Sequence, residues 1–450
     1  MKPPTNNTPP QGYKMTELGA LPEEWEVVRL GDLSKKDSIK IQFGFPCAKW
    51  NDKEIGIAQL RPFNITESGG TDLTALKYIE SDKADVSKYL VQKEDIIFNN
   101  TNSEELVGKT TYWKYENCKY VLSNHMTIVR IVDKNKINAY FLAKYLHKRW
   151  ADGFYRTVCR RHVNQSSISL ARLNQIQIPL PPLPEQQKIA SVLSAVQEAK
   201  EKTEAVITAA KALKKSMMKH LFTYGPVSPQ EAENVLLKET EIGFGPEDWE
   251  VVRLGEVVRA KITDGTHKTP KYIKTGIPFI TITNLVNGQI DFSKSKFISK
   301  EEHNSLIKRC MPEKDDVLLS KVGTLGLTAK VNVNSDFSIF VQLALIKPKK
   351  EIINSEYLKH LLSSTQMQNQ INAKASQSTM KYIGVEKIAN LKIPLPPLPI
   401  QQKIASILSA IDAKIEAEEN KKKALEELFK TLLDYLMTAK IRMNHLEVPS

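Results

Sequence analysis

The chain has 450 residues, 41% hydrophobic and 26% charged, with a formal net charge of +13; that suffices for about two to four cored domains and raises the odds of a polyanionic partner. No apolar run approaches the roughly 18 residues of a membrane span, which excludes one. The four cysteines (Cys47, Cys118, Cys159, Cys310) form no CxxC pair, so neither a zinc knuckle nor a disulfide framework is indicated, and a reducing, cytoplasmic setting fits.

Residues 1–12, rich in Pro, Asn and Thr, read as a disordered tail without the apolar core of a secretory signal. Residues 13–178 form a first globular domain. It opens on Trp25-Glu26-Val27-Val28-Arg29-Leu30-Gly31 and contains β-prone runs such as Ile96-Ile97-Phe98 and one helical patch, Ala139 to Trp150. The domain ends at Ile178-Pro179-Leu180-Pro181-Pro182-Leu183-Pro184. Proline lacks the N–H donor and clashes in a helix interior, so this block is an extended connector. Pro184 then suits the first turn of a helix, and this direct run into a helix disfavours reading the block as a Pro-rich peptide ligand.

The segment 179–223 carries that helix, roughly 57 Å long at 1.5 Å per residue. Ile189, Val192, Val196, Ala199, Thr203, Val206, Ala210, Leu213 and Met217 alternate in steps of three and four, the pattern of a coiled coil. A linker, 224–239, follows, with Gly225, Pro226 and Pro229.

The chain then begins again. Trp249-Glu250-Val251-Val252-Arg253-Leu254-Gly255 repeats the first opening block unchanged, and Ile393-Pro394-Leu395-Pro396-Pro397-Leu398-Pro399 repeats the closing one. Gln401-Gln402-Lys403-Ile404-Ala405-Ser406 repeats Gln186-Gln187-Lys188-Ile189-Ala190-Ser191. Between these edges the second domain, 240–393, does not match the first. It has its own β-prone run, Ile277 to Ile282, and its own helical patch, Ser355 to Ala373. Matching edges around unmatched interiors suggest one scaffold carrying two different reading surfaces. The mixture of elements predicts α+β domains. A distal helix, 394–441, has Ile404, Ile407, Ile411 and Ile415, then Leu425, Leu428, Leu432 and Leu436. Its middle, Glu416 to Lys423, is almost wholly polar; this gap either sets register or leaves room for a partner helix. Two such helices in one chain pair most simply with each other, antiparallel if the copies are related by a pseudo-two-fold axis. Residues 442–450 form a closing tail.

No catalytic constellation emerges. Gly243-Phe244-Gly245 stops short of a dinucleotide fingerprint. Gly108-Lys109-Thr110 resembles the end of a phosphate loop, but the leading glycine would fall at Ser103. No HExxH occurs, and the histidines lack metal-ligand spacing. The acidic run Glu313-Lys314-Asp315-Asp316 aligns with Lys93-Glu94-Asp95 and reads as a solvated turn rather than a nuclease cluster. No catalytic residue and no metal site is expected.

The Trp-Glu-x-x-Arg-Leu-Gly start, the Pro-Leu-Pro-x-Gln-Gln-Lys-Ile-Ala junction and the long helix, each present twice from about Tyr13 to Lys440, resemble the specificity subunit of type I restriction–modification systems. The resemblance implies two target-recognition domains reading the halves of an asymmetric, split site in double-stranded DNA, with the helices as the ruler between them. It also implies helix docking of two methyltransferase (modification) subunits, which bind S-adenosylmethionine, and restriction (helicase-nuclease) subunits joining that core. None of those activities, and no cofactor, would reside in this chain. The helix positions expected to serve partner binding are Ile189, Val192, Val196, Val206, Leu213, Ile404, Ile407, Ile411, Leu425 and Leu432.

Basic and amide side chains on loops carry the expected DNA contacts. Lys144, Lys148, Arg149, Arg156, Arg160, Arg161 and Arg172 cluster in the first copy against one acid, Asp152, and Asn164 and Gln165 follow. In the second copy the candidates are Thr266, His267 and Lys268; Lys321 and Thr324; and Gln377, Thr379 and Lys381. Glycines in the loops Asp264 to Pro270 and Lys321 to Gly326 would let backbone approach phosphate. The rival readings are a standalone DNA-binding or scaffold protein with the same domains and no modification partner, and a fused modification enzyme. The second rival needs an Asn-Pro-Pro-Tyr or Asp-Pro-Pro-Tyr motif, which the chain lacks.

Overall fold

The computed structural model describes residues 9–46, 49–80, 86–116, 119–376 and 380–444. Residues 1–8 and 445–450 of the expected tails, with Cys47, Cys118, Gln377 and Thr379, lie outside them. Two compact units result: residues 1–202 with 422–450, and residues 203–421. Each is α+β.

The repeated blocks, far apart in sequence, are strand partners within each unit. Glu26–Arg29 pairs antiparallel with Gln177–Leu180, and Glu250–Arg253 with Lys392–Leu395. The Pro-rich block, expected to be a plain connector, is therefore half of a two-stranded closure that seals each domain. A glutamine locks it. Gln186 Oε1 accepts from the Asn138 N–H at 2.9 Å, while its amide donates to the carbonyls of Lys136 and Pro181 at 3.0 and 2.8 Å. Gln401 does the same with Asn354 N–H at 2.8 Å and the carbonyls of Ile352 and Pro396 at 3.0 and 2.7 Å. Asn138 and Asn354 are the N-caps of helices Ala139–Ala151 and Ser355–Leu362. One buried side chain thus ties the start of a long helix to the cap of a domain helix.

The interiors share a topology that their sequences hide. In the first unit a four-stranded antiparallel sheet runs Ile39–Phe43, Met126–Ile131, Ile96–Asn99, Thr110–Tyr112; in the second it runs Thr263–Asp264, Leu343–Ile346, Val317–Ser320, Thr328–Lys330. A three-stranded sheet with one parallel pairing accompanies each: Tyr120–Leu122, Ile57–Leu60, Lys77–Ile79, and Ser338–Ile339, Ile277–Ile280, Lys296–Ile298. A polar motif repeats with it. Asn64 accepts from Arg61 N–H and donates to Asp72 O, and Asn284 accepts from Thr281 N–H and donates to Asp291 O. Asp72 and Asp291 in turn each accept from the backbone N–H two residues on, at 2.9 Å.

In the acidic run read as a solvated turn, Lys314-Asp315 does form a turn with Lys314 exposed, but the last residue departs from that reading. Asp316 and its counterpart Asp95 are buried at the start of the central strand. Arg130 grips Asp95 with two bonds of 2.7 Å; Lys347 and Arg259 hold Asp316 at 2.7 and 3.2 Å. Burial pushes the Asp316 carboxyl up against the opposing pull of Lys347. The neighbouring Glu313 is held at about 2 by hydrogen bonds from Lys347 and Arg259. Buried and fully partnered, Asp95 and Asp316 pin strands. Lys109, in the sequence that resembles a phosphate loop, is buried and donates to Ile65 O at 2.6 Å. The second helical patch also splits: Ser364 caps Thr365–Lys374 by accepting from Met367 N–H, and Gln368 donates back to Leu362 O at the end of the preceding helix.

The long helices span Leu183–Tyr224 and Leu398–Met437. Within residues 203–421, Lys211 bonds Glu419 at 2.7 Å and Lys214 bonds Asp412 at 2.6 Å. Rising numbers on one helix meet falling numbers on the other, so the segments are antiparallel. In the other unit Lys200 lies over Phe429, and Glu185 accepts from Arg442 at 2.8 Å and from Trp25 Nε1 at 2.9 Å. Arg442 and Met443 are thus docked, although they fall in the expected tail. The inner stripe departs from strict alternation. Val206 and Leu213 are 41% and 53% exposed, while Ile207 is buried. A straight helix drifts about 20° per heptad, which rotates later positions off the seam. The polar gap of the second helix receives a hairpin: Asn287 and Gln289, from the turn joining Leu285–Val286 to Gln289–Ile290, donate to Glu419 and Glu416 at 2.9 Å each.

Truncating Gln401 to alanine leaves a buried N–H and two carbonyls without partners. We expect a loss of about 3 kcal/mol, since an orphaned buried group costs roughly 1–3 kcal/mol. Urea denaturation of Gln401→Ala beside the parent checks this; an unchanged midpoint would refute the lock.

Candidate nucleic-acid interface

In each unit, the segment after the domain helices folds back as a bracket against the loop that follows the central strand. In the first unit Arg160–Arg161 pairs with Ser166–Ser167, which pairs with Thr101–Asn102. The tip is fixed by His162 N–H to Gln165 O at 2.8 Å. Residues 160 to 165 are all exposed, and Val163 is wholly so. Arg161 bonds Glu104 at 2.6 Å; among the described residues Arg160 has no side-chain partner. Arg156 is exposed on the short helix Phe154–Val158. The result is a projecting hairpin that presents guanidinium groups and, at Asn164 and Gln165, amides.

In the second unit four segments converge on one edge. Thr266 N–H bonds Ile339 O, Lys321 N–H bonds Gln342 O, Gly323 N–H bonds Lys381 O, and Ile383 N–H bonds Lys321 O. Thr266, His267, Lys268, Lys321, Thr324 and Lys381 are therefore brought together. Their hub is a residue the sequence reading passed over. The buried Asp264 carboxylate takes Lys321 at 3.0 Å, His267 at 3.3 Å and Arg309 as a third partner. Lys321 is buried, so its ammonium holds the loop while His267, Lys268, Thr324 and Lys381 face outward. Thr266 is half-buried, and its hydroxyl closes a local turn with Lys268.

A Cβ at Gly265 would lie 2.0 Å from Ile339 O, and one at Gly326, where φ is +83°, 2.1 Å from Gln368 Oε1. These two glycines are required by internal packing, whereas Gly323, at φ +79° with nothing within 4 Å of an added Cβ, stands in open space. The basic cluster of the first copy also divides. Lys144 and Lys148 are buried. Burial and the neighbouring Lys200 lower Lys144 to about 8, and Lys148 bonds Asp152 and Asp434 at 2.6 and 3.1 Å. Arg149 stacks on Phe154 at 3.6 Å, and Arg172 donates to Val158 O. Lys144, Lys148 and Arg149 serve packing, and Arg172, though exposed, is turned back onto Val158 O; Arg156, Arg160 and Arg161 are the remaining outward cations of the set. Among the described residues no group of acids, histidines or cysteines could hold a metal ion, and no helix is long and apolar enough to cross a membrane.

The family model for the type I restriction modification DNA specificity domain matches twice, at residues 22–209 and 246–427. This chain belongs to that family. A putative type I restriction enzyme MjaX specificity subunit from Methanocaldococcus jannaschii is 33% identical over 440 residues, covering 96% of this chain and 97% of the relative. The MjaVIII specificity subunit of the same organism is 30% identical, covering 95% of each. The fold is similar to the crystal structure of a type I S subunit from M. genitalium, with a TM-score of 0.59 at 14% identity over 92% of this chain and 96% of that one. The role of a specificity subunit is DNA sequence specificity, and it is the non-catalytic component of its system.

Within the specificity subunit, the residues missed from sequence are Asp264, Arg309 and Glu104. No local pattern marks them, because each acts on a group brought near only by folding. Replacing Asp264 with alanine strips the buried Lys321 of its counter-ion, and removing one partner of a buried pair costs about 3–5 kcal/mol. Thermal unfolding of Asp264→Ala should show that loss; Asp264→Ala/Lys321→Met should recover most of it, and failure to recover would place the cost elsewhere.

Proposed function

We propose that this specificity subunit reads a bipartite, asymmetric double-stranded DNA site, one half with each unit, and directs two methyltransferase subunits and the restriction subunits to it. The observation that carries this reading is a topological equivalence. The segment that pairs with the loop after the central strand is Ser166–Ser167 in one unit, backed by Arg160–Arg161, and Lys381-Tyr382 in the other, backed by Ser376, on the same sheet skeleton. One scaffold presenting unlike side chains at one exposed position suits two different half-sites. S-adenosylmethionine would be held by the methyltransferase partner. For docking it, the helices offer Val206 and Leu213, exposed apolar residues in one unit, and Leu428 in the other. Ile189 and Ile404 are fully buried in the cores of their own units, so they face their domains and leave partner contact to exposed positions.

Arg160→Ala/Arg161→Ala should damage recognition of one half-site and spare the other. A guanidinium on a guanine edge is worth about 1–3 kcal/mol of preference at that base pair. The test is binding by the complete complex to a panel of single-base variants of the site found by methylation mapping. Equal losses at both half-sites would refute the assignment.

The long helices would set the unread gap between half-sites. One heptad added to each, in phase with the apolar stripe, lengthens them by roughly 10 Å, or about 3 base pairs. Methylation mapping should then return the same half-sites with a wider gap; an unchanged gap would exclude the helices as the spacer.

A further inference from the structure

Each unit carries a second feature, outside the bracket, that the sequence does not reveal. Trp50 is 46% exposed, and the Lys77 ammonium lies 4.1 Å above its ring. Tyr272 is 37% exposed, and the Lys296 ammonium lies 4.4 Å above its ring. The two pairs occupy one structural position. Asn51, next to Trp50, bridges to Tyr78, next to Lys77; Ile273, next to Tyr272, bridges to Phe297, next to Lys296. Both lysines open the outer strand of the three-stranded sheet. The strand partner of Lys77 is Gln59 and that of Lys296 is Phe279, so the surroundings are unrelated. Around Trp50 there is also Arg61, at 5.0 Å, where the second unit has Thr281.

Tyr272 sits at the far end of the loop that bears Thr266, His267 and Lys268, and Trp50 at the end of the corresponding segment of the first unit. Thr266 bridges to Phe340, whose ring meets Phe279, whose ring meets Tyr272. In the first unit Phe45 makes the equivalent bridge, to Ser123, five residues before Trp50. What survives the divergence of the two interiors is a flat ring with a cation fixed over it, at the outer strand of each three-stranded sheet.

Resting on the reading that each unit contacts DNA, we infer that Trp50–Lys77 and Tyr272–Lys296 are paired anchors for the sugar–phosphate backbone. The two half-sites differ in bases, and what they share is the backbone. Chemistry repeated at one position of two domains with different reading surfaces must therefore serve the shared part. A ring can lie against a deoxyribose while its lysine meets the adjacent phosphate, a contact that positions without specifying. The pair also explains why a half-exposed ring is tolerated: cation and ring attract, which holds both side chains in place before DNA arrives. The two anchors are not equal. Lys77 also pairs with Asp52, which must release it, whereas Lys296 has no acidic partner among the described residues.

The test uses the full chain and a duplex of random sequence, with affinity measured across a salt series. Each phosphate contact contributes about 0.9 to the logarithmic salt slope, equivalent to roughly eightfold in affinity at 0.1 M salt. Lys296→Gln should lower the slope by about 0.9 and weaken binding by roughly that factor, and Lys77→Gln should do so less. Tyr272→Ala should weaken binding, and Tyr272→Phe should not. Melting curves that match the parent ensure that the variants are folded. If these variants bind as the parent does while Arg160→Ala weakens binding, the anchors are refuted and the DNA-contact reading stands. A chain that binds no duplex overturns both. A change confined to one base position, with the slope intact, would make Tyr272 a base reader and overturn the anchor.

Discussion

Everything in this fold hangs on closing a long chain segment upon itself. The strand after Trp25 must find the strand before Leu183, and the strand after Trp249 the one before Leu398. Bringing such distant segments together costs loop-closure entropy, though that cost grows only slowly with length. The closure offsets it with a short ladder, a tryptophan in the core on the edge of each closing strand, and a buried glutamine making three backbone bonds. This explains why the sequence repeats almost without change at these blocks. Any drift there would open both the ladder and the lock, whereas drift between them is absorbed locally.

The interiors obey a second, looser constraint. Their sheets are held by a few polar residues that recur without a recognisable motif around them: Asn64 and Asn284 in the turns, Asp95 and Asp316 under the central strands. Each buried carboxylate meets both a cation and a backbone N–H, so none is left as an uncompensated charge. Around that skeleton the exposed positions are free to differ. The guanidinium-bearing hairpin of one unit and the Met-Lys-Tyr bracket of the other follow from that freedom.

The sequence made some of this legible and concealed the rest for identifiable reasons. The duplication, the α+β character and the long helices announce themselves through identical blocks, β-prone runs and helical spacing, all local signals. Strand pairing between Glu26–Arg29 and Gln177–Leu180 does not, because nothing in a Pro-rich block identifies its partner. Counting charges misled where burial decides: Lys144, Lys148 and Lys321 look like the arginines of the hairpin in a composition count, yet they are buried. Asp264 and Asp316 read as ordinary surface acids until folding surrounds them with cations. Gly265 and Gly326 were misread in the same way, since a close approach to Ile339 or Gln368 and a close approach to a ligand leave the same mark in a sequence. Strict heptad counting failed at Val206 and Leu213 because a straight helix does not repeat every seven residues.

The prolines of the closing strands have a further consequence. Leu30 N–H bonds Ile176 O, and Leu254 N–H bonds Leu391 O. Alternation along an antiparallel ladder then puts Ile178 and Leu180, or Ile393 and Leu395, at the bonded positions. Pro179 and Pro394, opposite Val27 and Val251, therefore turn their nitrogens outward, where no ladder bond is missed. That flank is buried within the same unit: Tyr145 and Tyr357 donate to the carbonyls of Gln177 and Pro394, and Gln370 bonds both the N–H and the carbonyl of Lys392. A proline nitrogen has no hydrogen to satisfy, so the ribbon can sink its outer edge into its own domain without orphaning a donor there.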